Sequence, residues 1–520
     1  MKFYISKAEI PFLFFIFIPT ILLSQIPTWV REYGIQNRAD FSMGRVVETD
    51  NGDFVICGST LPMYFPLWNI DGYIVKVNAY GDTIWSKRVG DSLGGYPKDY
   101  LWDVIINNNN ELVFAGTRFV PYVGVGAQVW FLKITMDGSI ITDKRIGGSE
   151  EDNANEIIQN PDGTYMVLGD TKSFGTQIGG KDVWLLKLNS NGDTIWTRTY
   201  DFGYEDMGTG IIPFQNNNYL VTTFSKTGSI GTADCGFASY LVINANGDTL
   251  KVRRFREDSL TSFAYIKPTN EGGAIIAGQR SAMDNFPNRD IWILKLDSNA
   301  DTLWTKTYGA YGKFDGGLCI FQSNNGGYYL SAYTQSFTPP GMEYDNWWLL
   351  RLNDTGDTLW TRLWGGPLND DPYTIIPTSD GGLLIAGWKD ANSWDSLTLG
   401  DAQFWVMKTD SLGLVQGIED SNISSNLQNI KLSISPNPFN GKTSIDFEIS
   451  EPGYVRLKIF DVSGREIETV LKRKLEKGRY SVLYIADCLP NGVYFCELRN
   501  NNKLVQRKKM VLLDIRKNLN

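Results

Sequence analysis

Residues 182–201 read DVWLLKLNSNGDTIWTRTYD, and residues 290–309 read DIWILKLDSNADTLWTKTYG. Each stretch places an apolar run before a turn and a Thr-x-Trp-Thr run after it. The Asn-Gly-Asp turn of the first stretch supplies the positive φ angles that a tight hairpin needs. Each stretch therefore predicts a pair of antiparallel strands, and the similarity of the two indicates copies of one repeated unit.

The turn of this unit recurs along the chain at a nearly constant interval of 53 to 57 residues. It falls at Gly81, Gly138, Gly192, Gly247, Ala300, Gly356 and Gly413. A second turn, such as Asp162-Gly163, precedes the first in the repeat, so that each unit divides into four short strands. Four-stranded units repeated in this way are typical of the blades of a β-propeller.

The two ends of the repeat region complement each other. The last unit lacks the Thr-Trp strand after Gly413, whereas residues 28–34 (TWVREYG) match the strand TLWTKTYG and precede the first unit. An N-terminal strand that completes the last blade would close the ring. We therefore predict an all-β fold, with a seven-bladed β-propeller closed by an N-terminal strand over residues 25–418. A stacked solenoid is the alternative, and it does not require this offset.

The first 24 residues resemble an export signal. Lys2 and Lys7 precede the apolar run 11–23, and Ser24 and Gln25 follow it. A cationic start, an apolar stretch of this length and a small residue predict a signal peptide cleaved at Ser24 and Gln25. The run is shorter than the ~20 residues of a membrane-spanning helix. We expect no transmembrane span in the mature chain.

Composition excludes several classes of site. The chain has no histidine and a formal net charge of −9. Catalytic sites of the Ser-His-Asp and HExxH types are therefore absent, and the acidic charge argues against a nucleic-acid partner. The cysteines are scattered and no phosphate loop is present, so we expect no metal and no cofactor. Cys488 and Cys496 flank a turn, and whether they pair stays open.

The C-terminal residues differ from the repeats. After a polar linker at 419–430, short alternating strands separated by Pro-Asn, Pro-Gly and Ser-Gly turns predict a β-sandwich of immunoglobulin-like type at 431–520. Four motifs follow one another there: SPNPFN (435–440), FDVSGR (460–465), LPNGVYF (489–495) and KKMVL (508–512). Together they resemble the C-terminal sorting domain of type IX secretion, which occurs in the Bacteroidetes. The resemblance implies the type IX secretion machinery as a partner and a secreted or surface-attached protein.

Ligand-binding candidates lie in and beside the irregular loops, because function in a regular scaffold usually lies in its loops. Aromatic side chains there could stack on sugars or peptides, or could pack between blades. They are Tyr64, Trp68, Tyr122, Tyr344, Trp388 and Trp394.

Acidic residues recur about eleven positions before the first turn of a unit, and we expect them at the mouth of the central channel. They are Asp40, Asp99, Asp152, Asp206, Asp315 and Asp371. Carboxylates in such a ring could hold a hard cation or act as acid and base. A residue repeated in every blade more often caps a loop, and we favour that role.

The sequence therefore predicts an exported propeller that binds an extracellular glycan or protein, with no catalytic residue assigned. One alternative is a His-free hydrolase or lyase acting on carbohydrate. It would need an acidic pair in one blade, with Glu150/Glu151, Glu205/Asp206 and Asp370/Asp371 as candidates. Another alternative is a structural surface component, which would need no concave aromatic patch.

Overall fold

The computed structural model of the chain describes most of the repeat region and most of the C-terminal residues. The described residues are 26–35, 38–41, 44–62, 70–90, 98–119, 126–176, 180–226, 236–255, 259–282, 289–309, 313–336, 344–365, 368–391, 403–415, 432–435, 437–439, 441–449, 451–461, 465–475, 478–486, 489–490, 492–501 and 503–512. The predicted signal peptide and linker, and Cys488, lie outside them.

The described residues form antiparallel sheets almost without helix; one 3-10 turn at Gln215–Asn217 interrupts the strands. The first strand, β1 (Trp29–Tyr33), belongs to the last sheet of the repeat region. Sheet 1 contains β2 (Arg38–Phe41), β3 (Val46–Glu48), β4 (Phe54–Pro62), β5 (Asp71–Val77) and β6 (Thr83–Val89). Sheet 2 contains β7 (Tyr100–Ile106), β8 (Leu112–Phe119), β9 (Ala127–Ile134) and β10 (Ile140–Ile146). Sheet 3 contains β11 (Asp152–Gln159), β12 (Tyr165–Thr171), β13 (Asp182–Leu188) and β14 (Thr194–Tyr200).

The next four sheets repeat the pattern. Sheet 4 contains β15 (Glu205–Phe214), β16 (Asn218–Lys226), β17 (Gly236–Ile243) and β18 (Thr249–Phe255). Sheet 5 contains β19 (Ser259–Pro268), β20 (Ala274–Ala282), β21 (Asp290–Leu296) and β22 (Thr302–Tyr308). Sheet 6 contains β23 (Asp315–Gln322), β24 (Tyr328–Thr334), β25 (Asn346–Leu352) and β26 (Thr358–Trp364). Sheet 7 contains β27 (Asn369–Pro377), β28 (Leu383–Ala391), β29 (Gln403–Thr409) and β1.

The hairpin between the third and fourth strands is built by its turn residues. In sheet 3 the Asn189 carboxamide oxygen accepts hydrogen bonds from the backbone N–H groups of Asn191 and Asp193, both at 2.9 Å. Gly192 then adopts a φ of 81°, which a residue without a Cβ tolerates at no cost. The Asn-x-x-Gly-Asp pattern, which recurs in several units, therefore fixes the register of the outer hairpin.

The third strands are buried on both faces because each sheet is covered by a neighbour on either side. Every residue of β25 is buried, whereas β14 alternates between exposed and half-buried positions. Apolar layers between consecutive sheets form the core; one of them joins Val55 and Ile74 of sheet 1 to Phe114 and Trp130 of sheet 2. Burial on both faces explains why the third strands read as continuous apolar runs.

The first strand of each sheet contacts the first strand of the next, and the contacts return from β27 to β3. β1 pairs with β29 so that Glu32 lies opposite Trp405. Trp29 then donates its indole N–H to the Ala79 carbonyl of sheet 1 at 2.9 Å. The sheets thus form a closed cycle, here called the ring, and the N-terminal strand joins its two ends as the match at 28–34 predicts.

Two further sheets form the C-terminal part. Sheet 8 contains β30 (Leu432–Ser435), β31 (Lys442–Ile449) and β34 (Gly478–Ile485). Sheet 9 contains β32 (Gly453–Asp461), β33 (Glu466–Leu475), β35 (Gly492–Asn500) and β36 (Lys503–Leu512). One apolar core joins the two sheets, with Ile445 and Phe447 from sheet 8 and Leu457 and Cys496 from sheet 9. Throughout the described residues, helices with the length and apolar character for a membrane crossing are not found.

Candidate functional site

A cavity of about 450 Å³ lies where sheets 5, 6 and 7 meet, and we call it the junction cavity. Its lining residues come from the starts of first and third strands and the end of a second strand. They are Arg289, Phe314, Leu318, Tyr333, Gln335, Asp345, Asp371 and Tyr373. These strand ends carry the long connections of the repeat, so the cavity lies on the side where the sequence predicts function.

Backbone bulges direct two side chains toward the cavity. The pairing of β23 with β24 shifts register at Leu318, and the pairing of β27 with β28 shifts at Tyr373. A bulge adds one unpaired residue to a strand and re-aims its side chain. Pro372 precedes Tyr373 and has no N–H to contribute to the ladder, which favours irregular pairing there.

Two carboxyl groups, those of Asp345 and Asp371, line the cavity. Asp371 is 5% exposed. Burial raises the pKa of Asp371 well above its usual range, and the charges of Asp345 and Asp370 raise it further. The Oδ1 atom of Asp371 is buried and accepts no hydrogen bond within the described residues. A buried carboxyl of this kind holds its proton and can donate a hydrogen bond to a ligand.

One oxygen of the Asp345 carboxyl is held by a hydrogen bond. Gln335 donates its Nε2 N–H to Asp345 Oδ1 at 2.8 Å. Burial raises the pKa of Asp345; this hydrogen bond lowers it, and the charge of Asp315 raises it. The two carboxyls therefore differ, with Asp345 held by a neutral partner and Asp371 left with an unsatisfied oxygen.

Aromatic rings form the apolar part of the lining. Tyr333 donates its hydroxyl hydrogen to Gln279 Oε1 at 2.8 Å, which fixes the ring beside Gly316. A Cβ at Gly316 would lie only 2.4 Å from the Tyr333 ring, so glycine is needed there. The Arg289 guanidinium lies 5.6 Å from the centre of the Phe314 ring, and its buried Nε finds no acceptor within the described residues. Rings together with a few unsatisfied polar groups are typical of small-molecule sites.

The aromatic candidates from the sequence fall into three groups. Tyr344 is exposed and directly precedes Asp345 of the cavity. Trp388 lies inside β28, is 1% exposed and pairs opposite Asp371, so it supports the cavity from within the sheet rather than from a loop. The remaining candidates lie outside the described residues: Tyr64, Trp68, Tyr122 and Trp394.

The recurring acidic residues are buried and hold loops. Asp152 accepts hydrogen bonds from the Gly148 N–H at 2.8 Å and from the Ser173 hydroxyl at 2.7 Å. The carboxyl groups that share this buried position are those of Asp99, Asp152, Asp206 and Asp315. Asp40 lies in β2, and its side chain is outside the described residues.

The sheet 7 member of this set is Asp370, not Asp371. The Asp370 N–H donates to the Asp345 carbonyl at 2.8 Å, as the Asp315 N–H donates to the Arg289 carbonyl at 2.7 Å. Asp370 also precedes Gly381, the turn residue with a φ of 88°, by eleven positions. Counting from the neighbouring Gly382 instead selects Asp371. Because successive strand residues face opposite sides, that slip exchanges a loop-holding residue for a cavity residue.

Sequence reasoning also missed two acidic residues on the inner strands. Asp103 accepts the Ile157 N–H at 2.9 Å, and Glu156 accepts the Ile211 N–H at 2.7 Å, so each carboxylate joins its sheet to the next. Burial, with the charge of Asp103, raises the pKa of Glu156 to about 7. The sequence feature that could have identified these two residues is a single acidic residue in the second half of the first strand of a repeat unit.

Known proteins match the chain most specifically at its C-terminus. Residues 433–513 match the family model described as the secretion system C-terminal sorting domain. These residues are a type IX sorting domain. The resemblance drawn from the four motifs is confirmed, and the protein is a bacterial protein that is secreted or attached to the cell surface. No curated protein sequence matches the chain.

Solved structures resemble the chain at low sequence identity. A protein of unknown function from Dyadobacter fermentans DSM 18053 is 12% identical, with 73% of this chain and 99% of that chain covered, at a TM-score of 0.44. The α-L-arabinofuranosidase Arb93A from Fusarium graminearum is 10% identical, with 74% and 97% covered, at a TM-score of 0.41. An α-L-arabinanase from Penicillium chrysogenum, complexed with arabinobiose, is 11% identical, with 74% and 96% covered, at a TM-score of 0.40. These values carry no substrate over to this chain.

Proposed function

We propose that the chain is a seven-bladed β-propeller that binds a glycan in the junction cavity, exported by an immunoglobulin-like sorting domain. The single observation that carries the glycan assignment is the cavity lining, which combines the side chains of Tyr333 and Tyr373 with the carboxyls of Asp345 and Asp371. Sugars present apolar C–H faces and many hydroxyl groups, and a lining of this composition offers partners to both.

The propeller assignment is supported by the order of the sheets and by their contacts. Each of sheets 1 to 7 contacts its sequence neighbours, and Ser379 of sheet 7 donates its backbone N–H at 2.8 Å and its hydroxyl at 2.6 Å to Glu48 of sheet 1. The two sheets of residues 432–512 share one core, which supports the sandwich assignment. A structural surface component would need no cavity of this kind.

A glycan array probed with the mature chain tests the binding proposal. We expect a restricted set of oligosaccharides to bind the wild type and to fail with Tyr373→Ala, because the variant removes a ring from the cavity. Tyr80→Ala is the matched control, since Tyr80 is 65% exposed on a turn of sheet 1. Equal loss of binding in both variants, or binding by neither the wild type nor the control, contradicts the proposal.

Hydrolysis of a glycan is the second candidate, favoured by one observation. The negative charge of Asp345 raises the pKa of the Asp371 carboxyl. Two neighbouring carboxyls in one cavity are the groups that glycoside hydrolysis uses as acid and base. Incubating an array-selected oligosaccharide with the wild type and Asp371→Asn distinguishes the candidates. Shortened products that require Asp371 identify a hydrolase, and an intact oligosaccharide identifies a binding protein.

A further inference from the structure

Three carboxylates converge where sheet 3 meets sheet 4. Asp182 begins β13, Asp201 directly follows β14, and Asp206 lies at the start of β15. One carboxylate oxygen from each residue lies within 4.8 Å of the corresponding oxygens of the other two. Asp182 and Asp206 are fully buried, whereas Asp201 is exposed and opens the group to solvent.

The hydrogen bonds of Asp182 leave one of its buried oxygens without a partner. The Thr176 N–H donates to Asp182 Oδ2 at 2.8 Å, and the Phe202 N–H donates to Asp206 Oδ2 at 2.6 Å. The Ser225 hydroxyl also interacts with the Asp206 carboxyl, whereas Asp182 Oδ1 is buried and accepts no hydrogen bond within the described residues. A buried carboxylate oxygen left bare costs free energy, so the unsatisfied oxygen of Asp182 beside two further carboxylates points to a cation.

The equivalent position between sheets 1 and 2 shows how the same fold neutralises such carboxylates with protein groups. There Asp71 lies 3.5 Å from the Arg88 guanidinium, and Asp99 lies 3.9 Å from that of Arg118. Gly90 fills the remaining position, where a Cβ would meet Asp99 Oδ2 at 2.5 Å. The two acidic side chains therefore have two basic ones beside them, of which Arg118 also pairs with Asp143 at 2.7 Å.

At the equivalent positions between sheets 3 and 4, other residues stand in place of Arg88, Arg118 and Gly90. Thr199 stands at the position of Arg88, and Ser225 stands at the position of Arg118. Asp201 stands at the position of Gly90 and adds a third carboxylate. At these positions the junction of sheets 3 and 4 thus has three carboxylates and neither of the two arginines.

We propose that Asp182, Asp201 and Asp206 form a binding site for a calcium ion. Calcium takes oxygen ligands at 2.3–2.6 Å, so two ligands of one ion lie at most about 5 Å apart, in agreement with the spacing of these carboxylates. Water enters beside the exposed Asp201 and completes the coordination shell, which holds six to eight oxygens. The site departs from the expectation of no metal, because that expectation rested on cysteine and histidine patterns.

The test compares the mature wild type with Asp201→Asn, which keeps the size of the side chain and removes one charge. Thermal unfolding is followed in EDTA and in CaCl₂, and calcium binding is measured by titration calorimetry. We expect CaCl₂ to raise the melting temperature of the wild type, and we expect the variant to lose that shift together with the calorimetric signal. Asp50→Asn is the matched control, since Asp50 is an exposed turn aspartate of sheet 1.

The comparison in EDTA gives a second and independent outcome. Without the ion, three carboxylates repel one another, so Asp201→Asn should melt at a higher temperature than the wild type. A role limited to holding the loop predicts a lower melting temperature for the variant in both solutions. The same calcium shift in the wild type, Asp201→Asn and Asp50→Asn, or no binding by the wild type, would overturn the proposal.

Discussion

Sheet 3 and sheet 7 place different chemistry on the same backbone positions. In sheet 3 Asp170 pairs opposite Asn153, and Lys181 contacts both Asp170, at 3.1 Å, and Glu151, at 2.7 Å. At the corresponding positions of sheet 7, Trp388 pairs opposite Asp371. The repeat therefore fixes where these side chains lie, while their identities decide whether the region is closed by ion pairs or lined for a ligand.

The residue that precedes the third strand shows the difference most clearly. Lys181 precedes β13 of sheet 3, and its carbonyl accepts the N–H of Asp206 in sheet 4 at 2.7 Å. Asp345 precedes β25 of sheet 6, and its carbonyl accepts the N–H of Asp370 in sheet 7 at 2.8 Å. A cation in one junction is thus an acid in the other. Burial acts to raise the pKa of Glu151, but the hydrogen bond and charge of Lys181 outweigh it and lower that pKa to about 2. The pKa of Asp371 moves in the opposite direction.

Removing the cation of sheet 3 should have the largest effect. Lys181→Met leaves the buried carboxylate of Asp170 without its ion-pair partner, which we expect to reduce the free energy of unfolding by about 3 kcal/mol. Denaturant unfolding at neutral pH measures the change. Lys226→Met is the control, because Lys226 is 42% exposed and pairs with Glu205 near the surface, where the loss should stay below about 1 kcal/mol. Equal losses in the two variants would contradict the contrast between the junctions.

The contributions of Asp371 and Glu151 to the stability of the fold should change in opposite directions as the pH rises. The pKa of Asp371 is higher in the folded than in the unfolded chain, so its ionisation destabilises the fold progressively as pH rises above the unfolded value. Asp371→Asn should remove this loss and unfold at a higher temperature than the wild type at pH 8, with the difference vanishing at low pH. Glu151 has a lowered pKa, so its contribution is present above the unfolded value and is lost as pH falls toward about 2.

Glu151→Gln supplies the matching measurement, with melting temperatures recorded between pH 3 and pH 8. We expect this variant to be less stable than the wild type at neutral pH and to approach it in acid. Parallel pH profiles for Asp371→Asn and Glu151→Gln would show that the two sites do not differ in the way described.

Transplanting the sheet 3 cation should have the smallest effect on stability and a large effect on binding. Asp345→Lys places an ammonium group beside Asp371, and we expect a gain of about 1 kcal/mol or less because the side chain is half-buried. The lysine fills the cavity and pairs with the carboxyl, so binding of an array-selected glycan should be lost. Denaturant unfolding checks the change in stability and calorimetric titration checks the loss of binding, each with Asp345→Asn as the reference variant. Unchanged affinity in Asp345→Lys would contradict the position of the site.

Much of the fold follows from the sequence because it rests on local rules repeated many times. The Asn-x-x-Gly-Asp turns, the apolar third strands and the match of residues 28–34 together predict four-stranded sheets and the pairing of β1 with β29. The four C-terminal motifs predict the sorting domain.

The cavity does not follow from the sequence because its residues break the repeat. Tyr373 reaches it through a bulge, which only the strand register reveals, and Asp345 stands at a loop position where other units carry Lys181 or Arg289. The eleven-residue spacing applies to Asp370, so it does not predict that the neighbouring Asp371 lies in the cavity. Trp388, selected beside a loop, is buried in a strand.

Hydrogen–deuterium exchange of the mature chain, with and without an array-selected glycan, tests the location of the site most directly. We expect slower exchange on glycan binding at Tyr328–Thr334, which contains Tyr333, and at Asn369–Pro377, which contains Asp371 and Tyr373. Exchange at Asp152–Gln159 of sheet 3 should stay unchanged. Protection confined to sheet 3, or spread equally over all seven sheets, would contradict this location of the site.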